Sequence, residues 1–213
     1  MKSIKTLLIL LSIAIFSCDN NDDAQTDPTN PSDGFTHNSV FYETENAYFE
    51  IDTDDPNAIP QDYVFFFLNG KMFDNDAKVN GSGAEYLFSL GTTNFVILRV
   101  FVSDNPSLAN GGPLPGNTYV ASIINDSVIL ENGQINPLTT PYFINGVEFG
   151  EGDEDTGIIN TPIAPNPTIT INAINLDNTN PSASSIDADY TFTNQDGDII
   201  TGQYKGSFGI ILD

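Results

Sequence analysis

The side chains of this 213-residue chain with chemistry to offer are one histidine, one cysteine, one arginine and 29 carboxylates. His37 is of the right type to act as general base for a serine nucleophile, whose hydroxyl is inert until a neighbouring base takes its proton. No Gly-x-Ser-x-Gly elbow accompanies it, so the competing reading is a polar histidine in a loop or at a strand edge. Zinc wants several nitrogen or sulfur ligands, which one histidine and one cysteine do not supply. Paired carboxylates can cleave glycosidic bonds. With 29 acids, some pairs fall within range by composition alone, and the chain has no tryptophan to stack a sugar ring. The expectation is a chain that is not an enzyme, with no catalytic residue.

Calcium suits these acids better, because it takes clustered oxygen ligands and extracellular sites work at weak affinity. Four clusters qualify: Asp52, Asp54 and Asp55; Asp74 and Asp76; Asp153, Glu154 and Asp155; and Asn194, Asp196 and Asp198. The last has the spacing of the first three EF-hand ligands, but Ile199 stands where the turn glycine belongs. A plain hairpin turn on Asp196-Gly197 is the simpler reading there. Calcium is therefore the one cofactor left open, with no metal ligand assigned.

Arg99 alternates onto one face with Phe95, Ile97 and Phe101 in a run that reads as buried. A guanidinium in that position needs a partner, since an isolated buried charge is costly. Either a core-facing acid supplies it, or the arginine points into a cavity and grips a ligand carboxylate.

Cys18 belongs to a different kind of chemistry. Lys2 and Lys5 give a positive start, and Thr6 to Phe16 form an apolar run of eleven residues, the pattern of an export signal. That run is shorter than the ~20 residues a membrane-spanning helix needs. It ends on Ile15, Phe16, Ser17 and Cys18, which resembles a bacterial lipoprotein lipobox. The resemblance implies cleavage before Cys18, a diacylglycerol thioether on its sulfur and acylation of its new amino group. Several acyl chains anchor a protein stably where one is marginal. An unmodified leftover thiol is the alternative, and lipidation removes the oddity of a single cysteine in an exported chain.

Removal of residues 1–17 leaves 196 residues with four basic against 29 acidic side chains, a net charge of −25. Such a chain repels nucleic acid and anionic headgroups, so no nucleic-acid partner is expected and the membrane is reached through the lipid alone. Residues 18–34 then read as the lipidated cysteine and a disordered acidic tether, because Asp, Asn, Pro and Ser dominate and no large apolar residue occurs before Phe35. About sixteen extended residues reach up to ~50 Å. The acids of Cys18 to Asp23 also resemble the export signal of surface lipoproteins in the Bacteroidota, which implies an outer-membrane anchor facing the exterior. A soluble spacer on a periplasmic lipoprotein is the plainer alternative.

Everything that could position a site lies in residues 35–213, read as a single all-β domain. Asn-Gly at 69, 80, 110, 132 and 145 and Asp-Gly at 196 suit hairpin turns with positive φ. Short runs rich in Val, Ile, Thr, Tyr and Phe lie between them. Both alternating faces are apolar at 63–68 and at 95–102, which predicts two central strands, whereas the run at 199–212 is one-sided. The expectation is an antiparallel β-sandwich or a flattened, lipocalin-like barrel of about nine or ten strands. Gly202 and Gly206 fall on the inner face of the last strand, where a neighbouring aromatic or a ligand can approach the backbone.

The stretches at 114–119, 168–171 and 187–208 resemble Bacteroidota (flavobacterial-type) surface lipoproteins with lipocalin-like or sandwich β domains. No activity or binding residue comes with that resemblance. The functional expectation is an outer-membrane, surface-exposed lipoprotein whose non-catalytic β domain binds an extracellular ligand or partner. A structural or accessory subunit of an outer-membrane complex is the alternative, and a carboxylate-dependent hydrolase comes third.

Overall fold

The computed structural model describes residues 33–52, 60–122, 128–152, 158–159, 165–177 and 179–212. All of them belong to one compact unit, Ser32–Asp213. The export signal at 1–17, Cys18 and the tether as far as residue 32 lie outside the described residues.

Fifteen strands and no α-helix occur among the described residues, so the chain is all-β. Along the first sheet run β8 (Asn117–Val120), β13 (Thr168–Asn175), β14 (Ser185–Thr193), β15 (Ile199–Leu212), β1 (Gly34–His37) and β2 (Val40–Glu43). The long β15 is the corner of the architecture. Its first part, up to Ser207, pairs with β14, while Phe208 to Leu212 pairs in parallel with β3 (Asn46–Asp52). Beyond β3 the second sheet continues through β4 (Asp62–Leu68), β7 (Phe95–Phe101), β9 (Val128–Leu130) and β12 (Ile158–Ile159). A strand that leaves one sheet for another is how sandwich corners are made. The two ends of the nine-stranded path through these sheets, β8 and β12, do not pair, so the sandwich alternative is the one adopted and no barrel closes.

A separate four-stranded sheet runs β10 (Ile135–Ile144), β11 (Val147–Gly152), β6 (Tyr86–Ser89) and β5 (Met72–Asp74). It covers the outward face of the second sheet. Tyr63, Phe65 and Phe67 of β4 point into the main core with Ile169, Tyr190 and Tyr204 of the first sheet. Val64, Phe66 and Leu68, on the opposite face, pack instead with Met72, Phe88 and Ile135 of the small sheet. This is why all seven residues of β4 are buried, as its two apolar faces predict. The expectation for β7 holds on one face only: Val96, Leu98 and Val100 are fully buried, while Phe95, Ile97, Arg99 and Phe101 are half-buried.

Fifteen strands exceed the expected nine or ten because several are short. β5, β9 and β12 have three, three and two residues, fewer than a period-2 pattern needs to show. The Asn145-Gly146 dipeptide turns the hairpin of β10 and β11 as expected, with both residues at positive φ. Gly34 already opens β1, and the Asp33 carboxylate accepts the backbone N–H of Lys205, so the fold begins just before Phe35.

Candidate functional site

His37 ends β1 at a two-residue turn, Asn38-Ser39, whose φ values of 48° and 65° are those of a type I′ hairpin closed by the His37–Val40 pair. Its ring is buried between three segments. Nδ1 lies 2.8 Å from Oε2 of Glu131, just after β9, and Nε2 lies 3.4 Å from Oδ2 of Asp198, in the turn before β15. The Asn38 amide Nδ2 approaches the same Nε2 at 3.1 Å. Burial pulls the imidazole pKa down, but hydrogen bonds and charge from Glu131 and Asp198 outweigh it and leave the value raised. The phenol of Tyr42 on β2 is raised by burial first and then by its hydrogen bond to Glu131. A hydrolase base needs an alcohol at one nitrogen, and both nitrogens here face carboxylate or amide groups.

A second polar cluster sits between the second sheet and the four-stranded one. Register places Glu50, Val64 and Arg99 in one row across β3, β4 and β7. Glu50 and Asp62 are each 1% exposed. The Tyr86 hydroxyl of β6 donates to Glu50 Oε2, and Arg99 Nη1 lies 3.6 Å from Asp62 Oδ2. Burial and then the Glu50 carboxylate drive the Tyr86 pKa far up, so the phenol keeps its proton. Of the two readings of Arg99, the structure shows the pair with a core acid. Glu50 was missed from sequence, because it shares its face of β3 with Asn46, Tyr48 and Asp52, opposite Ala47, Phe49 and Ile51, and so reads as part of a solvent-facing side.

The acidic clusters separate. Asp54, Asp55, Asp153, Glu154 and Asp155 lie outside the described residues. Asp74 Oδ1 accepts the backbone N–H of Asp76 in a local turn. Asn194 Oδ1 accepts the backbone N–H groups of Asp196 and Asp198, and Gly197 sits at φ 88°, which is the plain hairpin turn. Among the described residues no three His, Cys, Asp or Glu side chains converge to hold a metal ion. The inner-face glycines serve packing: a Cβ on Gly202 would stand 2.3 Å from the Tyr190 ring, and one on Gly206 2.9 Å from the Tyr204 hydroxyl.

A third polar feature is the outward face of the first sheet. Thr36, Thr201, Thr191 and Thr168 are direct cross-strand partners on four neighbouring strands, with Phe41 beside Thr36. Two residues further along, Gln203, Asp189, Thr170 and Thr118 form a parallel row, closed by a 2.8 Å hydrogen bond between the last two hydroxyls. Beyond it, Lys205 Nζ meets Asp187 at 2.6 Å, and Asn172 donates to Asp187 and Asp189 at 3.1 and 2.7 Å. Alternation of Thr168 with Thr170 and of Thr191 with Thr193 was a signal for this face. Their mutual alignment is a matter of register, which a single strand does not reveal. No family model, curated protein or solved structure matches this chain.

Proposed function

We propose that this chain is a surface lipoprotein whose β domain binds an extracellular ligand or partner and catalyses nothing. In this reading Cys18 carries the lipid, the anchor lies in the outer membrane facing outward, and residues 18–34 tether the domain. The resemblance at residues 15–23 to a lipobox and surface-export signal supports the address. One observation carries the binding role. Among the described residues the outward face of the second sheet is buried under the four-stranded one, whereas that of the first sheet is lined with exposed or half-exposed short polar side chains. The side chains with catalytic potential, His37, Glu50, Asp62 and Arg99, are engaged with one another or with neighbouring framework groups.

The accessory-subunit reading draws on exposed apolar groups near that face, Phe41 at 48% and Ile199 at 69% exposure. Thermal unfolding against oligosaccharides, fatty acids and millimolar calcium separates the two. A ligand specific to the folded form adds about 2.7 kcal/mol at a hundredfold excess over its dissociation constant. A saturable rise that disappears in Thr191→Lys/Thr201→Lys supports the binding module. No rise with any class, together with a stable co-purifying membrane protein, supports the subunit.

A further inference from the structure

Among the chain's polar clusters, the one around His37 offers its ring two incompatible partners at a single nitrogen. Nδ1 is committed to Glu131 at 2.8 Å, since an N–H there donates to the carboxylate in either protonation state. Nε2 faces both the Asn38 amide Nδ2 at 3.1 Å and the Asp198 carboxylate at 3.4 Å. An amide N–H can donate only to an unprotonated Nε2, and a carboxylate can accept only from a protonated one. The ring therefore fits its surroundings in one way when neutral and in another when charged.

We propose that His37 is a two-position latch. The neutral ring is capped by the Asn38 amide. Proton uptake at Nε2 expels that amide and ties the β1–β2 hairpin to the β14–β15 turn through Asp198. The residues at stake are placed for such exchange. Asn38 is at the tip of a two-residue turn, so its amide can swing without disturbing the ladder. Asp198 is 44% exposed in its side chain, so protons reach the site, whereas the His37 ring is only 9% exposed. The charged groups facing the ring are Glu131 and Asp198, and the Tyr42 phenol hydrogen-bonds to Glu131. The Asn194 amide donates to the same Asp198 Oδ2 at 3.4 Å, and its Oδ1 accepts the Asp198 backbone N–H at 2.8 Å. Of the hairpin's two strands, only β1 pairs with β15, so the latch adds to the Tyr42–Glu131 and His37–Glu131 contacts that hold this edge to the sandwich. The device is independent of the binding role.

The test uses nitrogen and proton NMR of the imidazole in the full chain, kept in detergent, where one histidine gives one signal. The latch requires the neutral ring to carry its proton on Nδ1, a midpoint above the ordinary ~6.5, and backbone shifts at Asn38 and Asp198 that titrate with it. Asp198→Asn should lower the midpoint by removing the acceptor of the charged ring. Asn38→Gly, which tolerates the positive φ, should raise it by removing the cap of the neutral one. Opposite signs are the signature, because a merely structural contact shifts both variants the same way or not at all. A neutral ring protonated on Nε2, a midpoint at or below the ordinary value, or shifts of equal sign would overturn the latch. The tautomer of the unsubstituted protein decides alone if either variant fails to fold.

Discussion

At the scale of single residues, the chemistry carried by His37, Glu50 and Arg99 has turned into structural pairing, and that pairing has measurable consequences. A histidine whose folded pKa is raised above its unfolded value of ~6.5 contributes its full stabilisation below that value and loses it as pH rises through the folded pKa. Urea unfolding from pH 5.5 to 8.5 should therefore show a decline in stability toward the alkaline end that His37→Gln flattens; a decline unchanged in the variant would remove His37 as its cause. Arg99→Met takes the cation from the buried Asp62. We expect a loss of about 2 kcal/mol, below the ~3–5 of a fully buried pair because 27% of the Arg99 side chain reaches solvent. Gly202→Ala drives a methyl into the Tyr190 ring, which is itself stacked on Phe67 with centroids 5.3 Å apart. That overpacking should cost ~1–3 kcal/mol, and Tyr190→Leu in the same chain should recover part of it. Arg99 and Gly202 were legible in the sequence as a charge and a gap on faces otherwise apolar. Which acid or which ring answers them was not, because the partner comes from another strand.

At the scale of elements, legibility followed run length. β4 was readable because 63–68 is an unbroken run of six apolar residues rich in aromatics, which leaves neither face of the strand polar. Its consequence is a strand that serves two cores at once. Phe65→Ala empties space in the main core and Phe66→Ala in the smaller one, so each should cost ~3–5 kcal/mol in urea unfolding. Ile97→Ala, on the half-buried face of β7, should cost clearly less. Equal losses for Ile97 and Phe66 would mean that the small sheet covers β7 as fully as it covers β4. The parallel pairing of β15 with β3 was not readable, since it joins residues more than 150 positions apart and leaves no local mark. The same holds for the threonine row, which exists only through the register of four strands.

At the scale of the whole molecule, charge is the dominant unbalanced term. The chain carries 29 acidic and six basic side chains, and ion pairs among the described residues include Arg99–Asp62 and Lys205–Asp187. Acids so far in excess of bases repel one another on balance, and the repulsion is greater in the compact state than in an expanded chain. Screening relieves it: the Debye length falls from ~10 Å at 0.1 M salt to ~3 Å at 1 M. Thermal stability should therefore climb with added sodium chloride and level off as the screening length drops below the spacing of surface acids. Potassium chloride should trace the same curve, because screening depends on ionic strength and not on the cation. Calcium chloride at matched ionic strength provides the discriminating arm. A curve that overlays the others assigns the whole effect to screening. An extra, saturable rise at millimolar calcium assigns that part of the stabilisation to bound calcium and not to screening. A fall in stability with sodium chloride would show that attractive pairs, not repulsion, govern the folded state.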